Sequence, residues 1–351
     1  MNILIVKLSA IGDVIHTLPA LNAIRSHLPD AHITWLVEEN AASLVEGHEA
    51  LDRVLVSKRK RWMKGLRSSS FFSTLSEIYR FMKALRDIDY DMILDFQALL
   101  KSGVLIALAR GQRKIGFGKG LEHMEHSYIF LNERIPAVNM EIHALSRGMM
   151  LLDALGISPN EVEYRLPVSD HDRKKVDKLI TRYGLADIEP LIAINPVAKW
   201  ETKLWPNEKF AQLAEELMDT FHAKIVFTGA AGDRQTIQNI VSAMNSRVVN
   251  LAGDTTLNML AALYEKMDLV ISTDTGPMHM AAAVGTPVVA LFGPTAPWRT
   301  GPYGSAHQTI RAGLDCSPCF KRKCETKECM TSISVEQVLA ATSLLLKKNR
   351  I

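Results

Sequence analysis

Short apolar runs alternate with helical patterns along the first half of the chain. Apolar runs typical of buried strands cover residues 2–8, 33–38, 53–57 and 91–97. Between them, hydrophobic positions recur at helical spacing over 14–28, 72–86 and 100–110. Strands separated by helices favour right-handed βαβ units, and therefore a parallel sheet.

The second half repeats this scheme. Strands are predicted over 190–196, 223–229, 248–253, 268–274 and 287–293. The helices between them are predicted over 207–220, 232–245, 256–266 and 277–284, and an amphipathic helix follows at 334–348. Where the two schemes meet, the pattern indicates loops and short strands over 111–140, then helices at 141–155 and 170–184.

The polar stretch 164–172, which contains Pro167, is the predicted domain boundary. The sequence thus predicts an α/β protein with two doubly wound, Rossmann-like parallel-sheet domains, 1–168 and 169–333, facing each other across a cleft. A C-terminal segment, 334–351, is a candidate to pack back on the first domain. A length of 351 residues agrees with two domains of roughly 150 residues each. Ligands of such sheets bind beyond the carboxyl ends of the strands.

Composition and charge narrow the protein class. The chain is 47% hydrophobic and 23% charged, which excludes a disordered or fibrous protein. The formal net charge of +3 gives no global argument for a nucleic-acid partner. Lys7, Asp13 and His16 interrupt the apolar start too early for a signal peptide, and no apolar run approaches about 18 residues. We expect a soluble cytoplasmic protein.

The loop after the first strand is the first candidate site. Gly12 permits a tight turn there, and Asp13 stands at the start of the next helix, facing the cleft. Asp13 is either a helix cap or a general base whose ionised form the helix dipole favours. His16, one turn later, is either a half-buried polar residue or part of the same wall.

The loop after the strand at 268–274 is the second candidate site. Pro277 suits a first helical turn, and Thr275 and Gly276 offer backbone N–H groups at a helix N-terminus, where a pyrophosphate can bind. Asp274 can accept hydrogen bonds from sugar hydroxyls, and we expect His279 to point toward the same place. The alternative is an ordinary capped strand–helix turn.

Two further loops are weaker candidates. Lys203 is either a phosphate-neutralising residue or a surface lysine. The small-residue turn from Gly229 to Asp233 lets a nucleotide approach closely, with Asp233 near a ribose. The sequence has neither a G-x-G-x-x-G after a strand nor a Walker A motif. The D-x-D pattern within 87–91 precedes a strand, so we interpret it as a solvated turn.

Taken together, these motifs resemble those of glycosyltransferase family 9, the ADP-heptose:lipopolysaccharide heptosyltransferases. The matching segments span nearly the whole chain, at 12–19, 203–206, 274–279, 285–287 and 291–295. The first loop is most similar to the heptosyltransferase I branch, which adds the first heptose to Kdo.

The resemblance implies a GT-B fold that binds a Kdo-lipid A acceptor in the N-terminal domain and ADP-heptose in the C-terminal domain. It implies inverting transfer to a Kdo hydroxyl of the lipopolysaccharide inner core, without a metal cofactor for the chemistry. When the family's residue roles are transferred to the matching positions, the resemblance implies that Asp13 is the base, Lys203 holds the pyrophosphate and Asp274 contacts the heptose. The donor site is completed by Thr275, Gly276 and His279. The alternatives are a heptosyltransferase II or III type acting on a heptose, a GT-B sugar-nucleotide epimerase, and a non-catalytic nucleotide-sugar binding protein.

A basic segment, 58–67, has six Lys or Arg among ten residues. It is either a solvated charged loop or a mobile loop that binds the anionic acceptor together with His16. The acceptor-binding candidates within it are Lys58, Arg59, Lys60, Arg61 and Lys64. Trp62 and Met63 are candidates to touch an anionic inner-membrane surface, which suggests a peripheral protein on its cytoplasmic face. No nucleic-acid module accompanies the segment.

The four cysteines fall within one short stretch, with the spacing C-x₂-C-x₄-C-x₄-C. They are Cys316, Cys319, Cys324 and Cys329. Such a cluster cannot staple the rest of the fold, which excludes a disulfide-rich secreted scaffold. Three interpretations stay open: a structural Zn or Fe–S site, disulfide or redox pairing, and free thiols.

Overall fold

The computed structural model describes residues 1–121, 125–158, 161–186 and 190–348. The chain divides into two units, Met1–Pro167 and Val168–Ile351. This division lies one residue before the predicted boundary. Within the described residues, no helix is long and apolar enough to cross a membrane.

The first unit is an α/β unit built on one parallel sheet. Its strands are β1 (Asn2–Val6), β2 (His32–Glu38), β3 (Arg53–Ser57), β4 (Tyr90–Asp95), β5 (Gly111–Phe117) and β6 (Glu133–Ile135). Its helices are α1 (Ile11–Ile15), α2 (Leu18–His27), α3 (Arg59–Gly65), α4 (Phe71–Leu85), α5 (Leu100–Leu108) and α6 (Ala144–Asp153).

The strand order of this sheet is β3-β2-β1-β4-β5-β6. β1 lies in the middle, where Ile3 is opposite both Ile33 of β2 and Met92 of β4. These strands are apolar on both faces because helices cover both sides of a doubly wound sheet. The order reverses between β1 and β4, so the loops that follow these two strands meet at the topological switch point.

Three stretches of the first unit differ from the sequence prediction. The basic segment predicted as a loop contains a helix, α3, and the helix predicted over 14–28 is divided into α1 and α2. Pro19 lies in the first turn of α2, a position that suits proline. A full strand, β5, lies where only loops and short strands were expected.

The second unit contains a second parallel sheet. Its strands are β7 (Leu191–Asn195), β8 (Lys224–Phe227), β9 (Val249–Asn250), β10 (Leu269–Thr273), β11 (Val288–Leu291) and β12 (Gln308–Ile310). Its helices are α7 (Asp170–Arg182), α8 (Asn207–Phe221), α9 (Arg234–Ser242), α10 (Leu257–Tyr264), α11 (Gly276–Ala283), α12 (Pro297–Thr300), α13 (Glu328–Thr331) and α14 (Val335–Lys348).

The second sheet has the order β12-β11-β10-β7-β8-β9, which repeats the order of the first sheet. Its switch point lies between β7 and β10. The predicted doubly wound parallel sheets are therefore confirmed in both units. The last helix, α14, packs on α8 and on strands β10, β11 and β12 of its own unit through Val335, Val338 and Leu345.

Candidate functional site

Asp13 lies at the switch point of the first sheet, as the third residue of α1. Its Oδ2 accepts a hydrogen bond from the Ala10 backbone N–H at 2.9 Å. Among the described residues, Oδ1 has no hydrogen-bond partner. One carboxylate oxygen therefore caps the start of the helix, while the other stays available to accept a proton. The two interpretations of Asp13 are compatible.

Lys7, which the sequence analysis did not select, directly follows β1 at the same switch point. Its Nζ donates to the Phe96 carbonyl oxygen at 2.8 Å. Burial lowers the pKa of Lys7, and the negative charges of Asp13 and Asp95 oppose that shift. A lysine that directly follows four consecutive fully buried strand residues is the signal that could have identified it.

The loop after β4 holds the loop after β1 in place. Gln97 Oε1 accepts hydrogen bonds from the backbone N–H groups of Leu8, at 2.9 Å, and Ser9, at 3.0 Å. Asp95 Oδ1 in turn accepts from the Gln97 and Ala98 backbone N–H groups. Burial raises the pKa of Asp95. The conformation of the Asp13 loop thus depends on a side chain from the loop that follows the neighbouring strand.

A cavity of about 210 Å³ opens at this switch point. The polar and charged side chains along its wall are Lys7, Asp13, His16, Thr17, Gln97 and Arg147. The structure thus brings the predicted Asp13 and His16 to one cavity and adds two cations. An anionic ligand that carries a hydroxyl group would match this combination of a carboxylate and nearby cations.

Helix α6 supplies the far wall of this cavity. Arg147 donates to the carbonyl oxygens of Met140, at 3.0 Å, and Ile142. The His16 ring meets the ring of His143, which precedes α6, edge to face at a centroid distance of 4.9 Å. Arg147 and His143 were missed because the sequence pattern around α6 shows only an amphipathic helix.

The basic segment connects to the switch point through one buried acid. Glu38, at the end of β2, accepts from Lys101 Nζ at 3.0 Å and lies 3.6 Å from Arg59 Nε. Lys101 Nζ also donates to Ser9 Oγ at 2.6 Å. Arg59 therefore lies beside the loop that precedes Asp13. Of the other candidates, Lys60, Arg61 and Lys64 are exposed, and Lys58 is partly buried.

Lys203 and Asp274 form an ion pair at the switch point of the second sheet. The Nζ–Oδ2 distance is 2.6 Å, and Thr295 Oγ1 donates to the same Oδ2 at 2.6 Å. Both charges are largely buried, with side chains 15% and 6% exposed. Lys203 is therefore not the surface lysine of the alternative interpretation. Its Nζ also lies 4.6 Å from the ring centroid of Trp200.

Helix α11 begins directly after Asp274. Thr275 precedes its first residue, and within the described part of the chain the Thr275 side chain does not cap the helix. Pro277 has no N–H, and the Met278 N–H donates to the Thr275 carbonyl at 3.1 Å, so the Gly276 N–H is the group of this first turn that remains for a ligand. The positive end of the helix dipole lies beside Lys203. His279 is buried in the second turn of this helix.

Asn195, at the end of β7, is a further buried polar group at this edge of the sheet. Its Oδ1 has no hydrogen-bond partner among the described residues. Strand β7 pairs with β10 through Asn195 and Ser272, two residues before Asp274. Asn195 was not among the residues predicted from the sequence.

Gly229 and Asp233 follow β8, the strand next to β7, at the same edge of the sheet. A Cβ on Gly229 would lie 2.7 Å from Ile237 Cδ1, so α9 packs closely against this turn. Asp233 Oδ2 accepts from the Ala230 backbone N–H at 2.9 Å. Both residues thus have local structural roles.

The four cysteines are free thiols in this structure. Among the described residues, no group of three or more His, Cys, Asp or Glu side chains is arranged to hold a metal ion. The metal interpretation of the cluster thus lacks support. The segment instead packs beside Lys203, since Thr202 Oγ1 donates to the Lys321 carbonyl and Arg322 lies 4.8 Å from the Trp200 ring centroid.

The chain is similar to proteins of one family. The model of a family described as glycosyltransferase family 9 (heptosyltransferase) matches residues 78–330. Lipopolysaccharide heptosyltransferase 1 of Pseudomonas aeruginosa PAO1 is 31% identical over 334 residues, which cover 92% of this chain and 87% of that protein.

Two solved structures resemble the whole chain. The E. coli heptosyltransferase WaaC with ADP is 26% identical, with a TM-score of 0.77 over 99% of this chain and 100% of that one. A family 9 glycosyl transferase from Veillonella parvula is 24% identical, with a TM-score of 0.81 over 99% and 97%. These likenesses, with the two parallel sheets, confirm the predicted GT-B fold.

Proposed function

Because this chain belongs to glycosyltransferase family 9, we propose that it transfers L-glycero-D-manno-heptose from ADP-heptose to a Kdo hydroxyl of the lipopolysaccharide inner core. The observation that carries the proposal is the pair of switch points. One has a carboxylate oxygen available in a cationic cavity, and the other has a buried cation beside a helix N-terminus. The first unit binds the acceptor, and the second unit binds the donor.

Asp13 is the general base. As the Kdo oxygen attacks the anomeric carbon, its O–H bond breaks and the proton passes to Asp13 Oδ1, while a new C–O bond forms. The bond from the anomeric carbon to the diphosphate oxygen breaks on the opposite side, and ADP leaves with the electron pair. Attack opposite the leaving group inverts the anomeric configuration.

Lys203 and the start of α11 stabilise the negative charge that develops on the leaving diphosphate. Asp274 holds the Lys203 ammonium at 2.6 Å and, with Thr275, Gly276 and His279, contacts the donor. Fixed cations and backbone N–H groups supply the charge compensation, so we propose that the reaction requires no divalent metal. Addition of EDTA is expected to leave the rate unchanged.

Kdo carboxylates and lipid A phosphates are anionic, and they meet the cations of the first unit. Lys7 and Arg147 lie at the cavity, and Arg59 lies beside the Asp13 loop. We assign Lys60, Arg61 and Lys64, which are exposed, and the partly buried Lys58 beside them to longer-range attraction of the acceptor, because charges away from the cavity act mainly on the encounter rate. Since the acceptor is lipid-linked, we propose that the protein works at the cytoplasmic face of the inner membrane.

The test is a transfer assay with purified chain, ADP-heptose and Kdo₂-lipid A, read by mass spectrometry. The proposal predicts one added heptose, whose inverted configuration NMR would show. Product formed only on an acceptor that already carries heptose would contradict the acceptor assignment. Donor isomerised without any acceptor would indicate an epimerase, and donor bound but never consumed would indicate a binding protein.

A further inference from the structure

Positive charge is concentrated in one hairpin of the first unit, formed by α3 and α4. Residues 58–86 contain nine Lys or Arg and a single Glu, whereas the rest of the chain has 32 Lys or Arg and 37 Asp or Glu. The chain as a whole is nearly neutral. This hairpin is therefore a strongly basic patch on an otherwise slightly acidic protein.

Helix α4 of this hairpin has apolar side chains on two opposite faces. The inner face is buried through Thr74, Phe81 and Leu85. On the other side, three large side chains lie at spacings of three and four residues and share one helix face. These are Phe72, 82% exposed, Leu75, 42% exposed, and Tyr79, 70% exposed, and we call them the docking face.

The hairpin is a packed structure that presents this face in a fixed direction. The Trp62 ring lies 5.0 Å from the Phe81 ring, and Trp62 Nε1 donates to Glu77 Oε2 at 3.1 Å. A Cβ on Gly65 would lie 2.2 Å from Thr74 Oγ1, so only glycine lets the end of α3 approach α4 so closely. Trp62 thus packs inward, and the exposed aromatic surface belongs to α4.

We propose that the docking face inserts into the headgroup region of an anionic lipid bilayer, with the basic residues around it contacting lipid phosphates. Exposed apolar patches of this kind mark interaction sites, and an amphipathic helix with Lys and Arg beside aromatic residues is typical of interfacial binding. Lys83 and Arg86 are exposed at the C-terminal end of α4 and add positive charge there. A second copy of the chain is disfavoured as the occupant, because pairing would bring two strongly positive hairpins together.

This inference deepens the proposed function, since it rests on the acceptor being lipid-linked, but its test uses no acceptor. The full chain is sedimented with vesicles of phosphatidylcholine alone and of phosphatidylcholine with phosphatidylglycerol. We expect binding to the anionic vesicles that weakens in high salt. The triple variant Phe72→Ser, Leu75→Ser, Tyr79→Ser is expected to lose about tenfold or more in affinity.

Two further variants serve as a control and as a separate test of the charge contribution. Leu344→Ser, at a residue 57% exposed on α14, is the matched control and is expected to bind as the unsubstituted chain does. Lys83→Glu with Arg86→Glu changes only exposed residues and is expected to remove the preference for anionic vesicles. Circular dichroism and transfer to a delipidated, soluble acceptor report whether each variant is folded and active.

Three outcomes would overturn the docking proposal. In the first, the triple variant binds vesicles as well as the unsubstituted chain does. In the second, the chain binds neutral and anionic vesicles equally. In the third, substitution of the docking face changes only the oligomeric state, from dimer to monomer in sedimentation velocity. By contrast, if the chain binds vesicles as expected but transfers heptose to no acceptor, the proposed function is contradicted and the docking proposal is still supported.

Discussion

The switch points of the two sheets share a topology but differ in the state of their carboxylates. Each has a lysine that donates to a backbone carbonyl in the loop of the neighbouring central strand, Lys7 to Phe96 and Lys203 to Asp274. Asp274 is paired with the buried ammonium of Lys203 and also accepts from Thr295, whereas among the described residues Asp13 forms no ion pair and caps its helix through one oxygen.

This difference shows how the same sheet topology can support both diphosphate binding and proton transfer. A carboxylate tied to a buried ammonium fixes that cation in place, which suits binding of a diphosphate. A carboxylate with an available oxygen beside a cationic cavity suits proton transfer. We therefore propose that the second unit compensates charge and that the first unit supplies the base.

The largest effect is expected when the proposed base, Asp13, is removed. Asp13→Asn keeps a side-chain oxygen for the Ala10 cap but cannot take a proton. We expect kcat to fall by about 10²–10⁴-fold while ADP-heptose affinity stays unchanged, measured by steady-state kinetics and calorimetry. Asp30→Asn, at an exposed turn residue, is the matched control. Turnover retained by the Asp13 variant would remove Asp13 from the mechanism.

A second prediction tests the buried ion pair of the second unit. Lys203→Met leaves the Asp274 carboxylate buried without its cation, which costs about 3–5 kcal/mol of unfolding free energy. Asp274→Asn is expected to cost a similar amount, and the double variant less than the sum. Denaturation of the single and double variants in a thermodynamic cycle gives the coupling directly. Additive losses would show that the pair is not coupled.

A third prediction tests whether the contact of Gln97 with the Leu8 and Ser9 N–H groups positions the Asp13 loop. Gln97→Ala leaves the Leu8 and Ser9 N–H groups without their acceptor, at a cost of about 1–3 kcal/mol, and loosens the Asp13 loop. We expect a lower kcat with little change in donor KM. Gln97→Glu retains an acceptor oxygen and is expected to restore most of the rate. A rate unaffected by Gln97→Ala would contradict the positioning role.

The smallest effect concerns pH and Asp95. Because burial raises its pKa, the folded protein holds a proton on Asp95 above pH 3.8, where the unfolded chain has released it. The stability contributed by this group is therefore present at low pH and is lost as pH rises through the folded-state pKa. Asp95→Asn is expected to remove this slope, measured by hydrogen exchange of the β1 amides. An unchanged slope would assign it to another group.

The central strands were predictable because they are buried on both faces. β1, β4, β7 and β10 are near-continuous apolar runs, and the loops that follow them could be located from the sequence. Strands with few apolar residues were harder to predict. The first half of β5 contains the polar Gln112 and Arg113, and the short edge strand β12 has no apolar run of its own.

The same contrast applies to the candidate site. Asp13, Lys203 and Asp274 lie directly in the loops that the pattern identified. Lys7 and Gln97 act through partners about 90 residues away in sequence, and only the pairing of β1 with β4 brings these together. Helix α3 was missed because its basic sequence lacks apolar periodicity, and Trp62 and Gly65 fix it by tertiary packing.

The most direct test of this division of roles is ADP affinity, measured by calorimetry on Asp13→Asn and Lys203→Met side by side. The account predicts that the Asp13 variant binds ADP as the unsubstituted chain does, while the Lys203 variant loses about tenfold or more. Equal losses in both variants, or a loss in the Asp13 variant alone, would contradict it.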